Sequence, residues 1–376
     1  MKPRFSAVAA AGFAAFLNIY AVQALLPTLC QAFSAPRAQV GLIISATTLA
    51  VALFSPLAGL LGARMRRRTK LTVALTGLTV CGMGAALAPD LQAMMAWRFA
   101  QGAFLPLLSS SIMTWIGEDC QENRVGHTMS IYVTWTVIGG VCGRLTAGVL
   151  GYHLGWRAAM VALAVLTGAA ASVVLARVPD KIASNSTHTP WREMLGLLRS
   201  RQLRTALLTG FLILFCVVGV FSYITYYLSA APFNLSSDRL GALFLVYLLG
   251  TIVTPWAGRM FHKIGYPLAL RYASLLGLVG VLLTLHPYLG SVLVGMLFCS
   301  TSAFISQSAM SGYVSAHAPN QRSQALGLYL SAYYLGGCAA GFIPAWAWNL
   351  GAWPACALLF ASAYLTCAGT LARRLG

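Results

Sequence analysis

Long apolar runs dominate this chain, broken at intervals by short clusters of charge rather than by alternating polar positions. A helix needs about 20 apolar residues to cross a hydrocarbon core of roughly 30 Å, and twelve such runs can be traced. In the first half they cover Phe5–Cys30, Gln39–Gly62, Leu71–Ala88, Leu91–Gly117, Gly126–Leu150 and Trp156–Ala176. In the second half they cover Thr205–Ala231, Leu240–Phe261, Pro267–Leu285, Tyr288–Gly312, Gln324–Trp346 and Trp353–Ala372. Two stretches of 50 residues, Tyr272 to Gln321 and Ser323 to Ala372, contain no Asp, Glu, Lys or Arg. Each must fold back once, and His286-Pro287 and Asn349-Leu350-Gly351 supply the turns. The pattern predicts an all-α membrane protein with 12 transmembrane helices.

Composition and charge sharpen this picture. Hydrophobic residues make up 59% of the chain and charged residues 9%, against roughly a quarter charged in a soluble domain. Nineteen of the 25 Lys and Arg residues fall in alternate gaps between the spans, including the Arg64 to Lys70 cluster. Only Arg37, Arg157 and Arg239 lie in the opposite gaps, and Arg98, Arg144 and Arg271 lie inside spans. The positive-inside rule therefore puts both termini in the cytoplasm. Orientation also accounts for the net charge of +18, so no nucleic-acid partner is expected. Phe5 to Phe16 behind Lys2 and Arg4 resembles a signal-peptide core, but the run stays apolar to Cys30 without a convincing cleavage site. It reads as an uncleaved first span. The nine cysteines show no Cys-x-x-Cys spacing and read as small buried hydrophobes, so no metal site is expected.

The two halves match each other at an offset of 197 to 199 residues. Pro56-Leu57-Ala58-Gly59 aligns with Pro255-Trp256-Ala257-Gly258, and Ile138-Gly139-Gly140 with Leu335-Gly336-Gly337. Gly155-Trp156 aligns with Ala352-Trp353, and Arg124 with Arg322. This is a 6+6 duplication: a six-helix bundle over residues 1–176, a cytoplasmic linker over 177–204 and a second bundle over 205–376. An even number of spans per half gives a pseudo-twofold along the membrane normal, with a cavity expected near the midplane.

These residues resemble the major facilitator superfamily (MFS fold), in its twelve-span drug/proton antiporter branch of bacterial inner-membrane efflux proteins. Gly59 through Arg68 resembles the family's loop 2-3 signature, Gly-x-x-x-Asp-Arg-x-Gly-Arg-(Arg/Lys), and keeps Arg64, Arg67 and Arg68 in place. Ala63 stands where the signature has its Asp and Arg66 where it has Gly, so the conformational latch that the resemblance implies should be weakened. Arg98-Phe99-Ala100-Gln101-Gly102 resembles the span-4 signature. Gly139, Gly140, Gly143, Arg144 and Gly148 resemble the glycine-rich span-5 motif of exporters, and small residues of this kind permit close helix packing. Asn18 through Pro27 looks like span 1 of such efflux proteins.

All seven acidic residues lie outside the predicted spans, whereas a proton-coupled transporter usually keeps a carboxylate at membrane depth. Coupling then falls to Asp90 at the outer mouth, to His127 at the inner end of span 5, or is absent; the resemblance adds Arg98 to the candidates. Arg98 lies about 10 Å into span 4, at 1.5 Å per residue. It either lines the cavity, as the family match implies, or serves structurally by bonding carbonyls or snorkelling. Arg144 carries the same two readings. The remaining candidates for a mostly apolar cavity with a few orienting hydrogen bonds are Asn18, Gln23, Gln101, Tyr132 and Trp135, then Tyr223, Tyr226, Tyr247, Gln307 and Tyr333.

The expected function is export of a small neutral or weakly anionic solute, such as a drug, sugar or metabolite, by rocking alternating access with proton antiport. An uncoupled facilitator or an importer is the alternative. No clustered nucleophile, base or metal set lies at membrane depth, so a membrane-embedded enzyme is remote, as is a non-transporting sensor. No cofactor beyond a proton gradient is expected. The partners are the solute and the lipid bilayer of an inner membrane, with the chain acting as a monomer.

Overall fold

The computed structural model describes residues 5–57, 65–120, 122–179, 196–250, 264–318 and 321–375. Among them there is no strand. The helices are α1 (Phe5–Leu17), α2 (Leu26–Ala32), α3 (Arg37–Phe54), α4 (Arg67–Ala86), α5 (Leu91–Asp119), α6 (Glu122–Leu154) and α7 (Trp156–Leu175). They continue with α8 (Arg201–Ser229), α9 (Ser237–Leu243), α10 (Tyr266–Leu283), α11 (Leu289–His317), α12 (Arg322–Thr366) and the short α13 (Ala372–Leu375).

Nine helices among the described residues are long and apolar enough to cross a membrane, or ten if one bent pair counts as a single span. The segment Gln324–Leu375 is 52 residues long, more than twice the roughly 20 residues that one crossing needs. It breaks at Gly351 and Ala352, where Ala352 has φ 50°, next to the turn expected at Asn349-Leu350-Gly351. The turn expected at His286-Pro287 falls between α10 and α11. Half of the run read as Leu240–Phe261 lies outside the described residues, as do Gly59, Arg64 and most of the linker.

The first span is broken. It is not a continuous helix: α1 ends at Leu17, residues 18–20 form a turn, and a 3-10 segment (Ala21–Leu25) leads into α2. The two parts meet at a 40° bend. Asn18, a residue type that favours turns over helix interiors, directly follows α1, and Pro27 sits in the first turn of α2, where its missing N–H costs nothing.

The described residues form two compact units. The first comprises Met1–Ala35, Ala46–His188 and Ser236–Ala242; the second comprises Pro36–Ser45, Thr189–Leu235 and Leu243–Gly376. Each unit therefore includes a short piece from the other half of the sequence. In the first, the Thr28 and Ser237 hydroxyls lie 2.9 Å apart. In the second, the Ser45 hydroxyl donates to Cys338 O at 2.7 Å.

Inside the first unit α1 lies against α6 and α7, and α4 lies against α5 and α7. Inside the second, α8 lies against α12, and α10 against α11. The repeat is visible at atomic contact: a Cβ on Gly139 would lie 2.3 Å from Phe13 O, and one on Gly336 would lie 1.9 Å from Phe211 O. Phe13 and Phe211 are 198 residues apart, and Gly139 and Gly336 are 197 apart. Both helix pairs approach so closely that only glycine fits the contact.

Candidate functional site

The break in the first span gathers a set of buried polar side chains in the first unit. Where α1 stops, the carbonyls that a continuing helix would have used are left for other donors, a need that lipid cannot meet. Arg98, from the second turn of α5, reaches this point: its Nη2 donates to Ile19 O at 2.7 Å. Its Nη1 donates to Gln101 Oε1 one turn on along the same helix. Gln101 Nε2 in turn donates to Leu78 O of α4 at 3.1 Å. This chain of bonds ties α4, α5 and the broken span together around a guanidinium with 0% exposure.

A second arginine reaches the break from α6. Arg144 Nε donates to Gln23 Oε1 at 2.8 Å and Nη1 to Gly140 O at 2.8 Å. Its guanidinium lies 5.2 Å from the centre of the Tyr20 ring, within cation–π range. On α7, Thr167 Oγ1 accepts from Asn18 Nδ2 at 2.7 Å. Three helices, α5, α6 and α7, thus converge on residues 18–23.

Two polar atoms of the site are buried without a partner among the described residues: Asn18 Oδ1 and Arg98 Nε. One is an acceptor and the other a charged donor. Leaving either dry costs about 1–3 kcal/mol, more for the charged group, so the site carries unspent hydrogen-bonding capacity at the break.

Of the residues singled out from sequence, Asn18, Gln23, Arg98, Gln101 and Arg144 meet here, all 5% exposed or less. Tyr132 lies in the first unit's hydrophobic cluster with Leu108 and Trp115. Trp135 is 38% exposed and lies edge-on to Phe13. In the second unit, Tyr223 donates to Gly341 O at 3.0 Å, and Gln307 accepts from Tyr329 at 2.8 Å. Tyr223 and Tyr226 face Trp348, with the Arg37 guanidinium 4.9 Å from the Trp348 ring centre and 5.4 Å from that of Tyr226. Tyr247 stacks among Phe221, Phe244 and Phe304, and Tyr333 lies beside Tyr329.

Asp90 is the N-cap of α5, accepting from Ala93 N at 2.7 Å, and His127 is exposed with its ring edge-on to Phe5. Arg67, at the start of α4, is buried in an ion pair with Glu118 and with Asp119, the latter at 2.9 Å; Trp115 Nε1 also donates to Asp119 at 3.0 Å. Arg68 is exposed. Sequence reasoning missed the two acidic partners of Arg67, the Ile19 carbonyl, Tyr20 and Thr167. Only the helix-breaking potential of Asn18 was there to hint at the carbonyl.

This is an all-helical, multi-pass membrane protein whose first unit carries a charged site at a broken span. The chain belongs to the major facilitator superfamily, whose family model matches residues 8–341, and it is accordingly a transporter of a small solute rather than a member of an enzyme class. It is 30% identical over 351 residues to the inner membrane transport protein YnfM of Escherichia coli (strain K12), covering 92% of this chain and 84% of that protein. It is 29% identical over 349 residues to the uncharacterized MFS-type transporter YybF of Bacillus subtilis (strain 168), covering 90% and 85%. In fold it is similar to the nucleoside transporter NupG, with TM-score 0.77, 15% identity and coverage of 98% of this chain and 97% of that one. It is also similar to the human organic anion transporter MFSD10 (TETRAN), with TM-score 0.72, 19% identity and full coverage of both, 100% and 100%.

Proposed function

We propose that this transporter exports a small neutral or weakly anionic solute across a bacterial inner membrane by alternating access, both termini facing the cytoplasm, with proton antiport driving the cycle. The observation that carries the solute class is the pair Arg98 and Arg144 at the break in the first span. Two guanidinium groups are held there by amides and carbonyls, and no acidic residue of the sequence lies within a predicted span to neutralise them. An organic cation would enter against two like charges, whereas a carboxylate, a hydroxyl or a carbonyl finds donors. Arg98 Nε and Asn18 Oδ1 supply one free donor and one free acceptor for such a solute.

Alternating access fits the 6+6 repeat. The tilt to export rests on the resemblance of the Gly139 to Gly148 segment to exporter motifs, and the orientation rests on the distribution of Lys and Arg.

A second reading, transport without proton coupling, is favoured by one observation: the sequence offers no carboxylate at span depth to take up and release a proton, and Asp90 is already engaged in capping α5. Proteoliposome uptake of an amphenicol, a sugar, a small organic acid and an organic cation, with and without an imposed pH gradient, tests both points. Stimulation of the neutral or acidic solutes by the gradient supports the first reading, and gradient-insensitive uptake supports the second. A response from the organic cation alone overturns the solute class.

A further inference from the structure

Away from the broken span, the second unit carries a hollow of about 550 Å³ lined by Ser200, Arg201, Gln202, Arg373 and Arg374. Three of its five lining residues are arginines and none is acidic. Its walls are fixed. Leu203 of α8 and Ala372 and Leu375 of α13 are buried in one hydrophobic cluster with Tyr313, and the Tyr313 hydroxyl donates to Leu375 O at 3.2 Å. On the other wall the Ser200 hydroxyl caps α8 by accepting from Leu203 N at 3.3 Å.

The charges in this hollow oppose one another. Arg201 occupies the first position of a 29-residue helix, where the positive end of the peptide dipoles disfavours a cation. Arg373 and Arg374, packed in from the end of the chain, add two more charges of the same sign. An anion bound among them reverses every one of these repulsions at once.

The residues that follow along α8 bear on the kind of anion. Arg201, Arg204 and Leu208 are spaced i, i+3 and i+7, so they share one helix face, and all three are exposed. Leu208 is 47% exposed and lies about 10 Å along α8 from Arg201, at 1.5 Å per residue. Cations at the mouth and an exposed aliphatic surface two turns deeper match a phosphate headgroup with acyl chains below it.

We infer that this hollow is a binding site for the phosphodiester headgroup of an anionic lipid, with an acyl chain lying along the Leu208 face of α8. The site is separate from the transport reading, and its failure would leave that reading untouched.

Full-length protein in detergent micelles doped with phosphatidylglycerol or phosphatidylcholine tests it, read by thermal unfolding and by retained lipid in native mass spectrometry. Phosphatidylglycerol should raise the unfolding midpoint and co-purify, whereas phosphatidylcholine should not. The triple variant Arg201→Gln/Arg373→Gln/Arg374→Gln should weaken phosphatidylglycerol binding by at least about tenfold, and the Arg→Lys triple at the same positions should keep most of it. Arg124→Gln/Arg177→Gln removes two exposed cations from the other unit and should leave binding unchanged. A loss in that control equal to the loss in the triple, or an equal midpoint shift from phosphatidylcholine, overturns the site. Inorganic phosphate reproducing the whole shift, with no further gain from lipid, overturns the lipid assignment and leaves a free-phosphate site. The mutated side chains are exposed, so the variants should fold, and a midpoint matching wild type in lipid-free micelles verifies it.

Discussion

Arg98 Nη2 donates 2.7 Å to the carbonyl of Ile19, a residue 79 positions earlier in the chain. That bond joins a buried charge on one span to a carbonyl exposed only because another span breaks. Neither is tolerable in lipid alone: the charge needs acceptors and the carbonyl needs a donor. Each answers the other's requirement, and their meeting point is the site proposed for the solute.

Removing the guanidinium should therefore damage both transport and stability. In Arg98→Ala, Ile19 O and Gln101 Oε1 lose their donor, at about 1–3 kcal/mol for each buried group. Arg98→Lys keeps the charge but cannot span both acceptors. Thermal unfolding should fall for Ala more than for Lys, while solute uptake in proteoliposomes should drop at least about tenfold in both, equivalent to about 1.4 kcal/mol. Uptake at wild-type levels in Arg98→Ala would refute a role for this group in solute handling.

The contact between α1 and α6 depends on the absence of a side chain. A Cβ at Gly143 would lie 1.9 Å from Leu17 O, and at Gly336 in the second unit 1.9 Å from Phe211 O. Gly143→Ala and Gly336→Ala should each destabilise by about 1–3 kcal/mol, since backbone must move to admit the methyl group. Gly126→Ala, on the same helix as Gly143 but with nothing within 4 Å, should be neutral or better by up to about 1 kcal/mol. Unfolding midpoints of the three variants, compared in one detergent, check the contrast.

Arg67 is buried with two carboxylates, so breaking the group from the arginine side should be the more severe change. Arg67→Ala removes the guanidinium that both Glu118 and Asp119 bond and should cost about 3–5 kcal/mol. Glu118→Gln leaves the Asp119 contact standing and should cost less. A double-mutant cycle between positions 67 and 119, followed by thermal unfolding, should give a coupling of about 0.5–3 kcal/mol. A coupling of zero would mean the ion pair contributes nothing beyond the separate side chains.

At the α9 end of the first unit, the Ser236 hydroxyl donates to Asp238 and holds its carboxyl below the ordinary value of 3.8, with help from backbone N–H groups and Arg239. A carboxyl depressed on folding contributes stability that is fully present above the unfolded value and lost as pH falls through the folded one. Hydrogen exchange of the Ser237–Leu243 amides should thus stay slow on going from about pH 6 towards pH 4 and rise below that, after correction for the intrinsic exchange rate. Ser236→Ala should move the rise to higher pH. No movement would show that the hydroxyl contact does not set the carboxyl's affinity for protons.

Several features of the fold were legible because they depend on local composition. Hydropathy is a property of about 20 consecutive residues, so the runs at Trp156–Ala176 and Leu91–Gly117 could be bounded without knowing their neighbours; helices occupy Trp156–Leu175 and Leu91–Asp119. One aligned pair of glycines was legible for the same reason: Gly139 and Gly336 each mark a requirement met within its own half, and each meets a backbone carbonyl, of Phe13 and of Phe211. The break at residues 18–20 was not legible, because Asn18-Ile19-Tyr20 sits inside an otherwise apolar run whose hydropathy is unaffected by its backbone dihedrals.

The residue types at the site were visible in the sequence, and their partnerships were not. Arg98, Gln101, Arg144, Asn18 and Gln23 stood out as polar groups in apolar surroundings, a costly placement that marks them wherever they point. Which atoms they touch depends on helices packing across separations of 79, 121 and 149 residues, and on a carbonyl that exists as an acceptor only after α1 has ended. Sequence alone determined the membrane class, the family resemblance and the shortage of acid at span depth. Tertiary structure alone decided that the two arginines serve the broken first span and that Arg67 pairs with Glu118 and Asp119, because hydrogen-bond geometry is a relation between helices and not a property of any one of them.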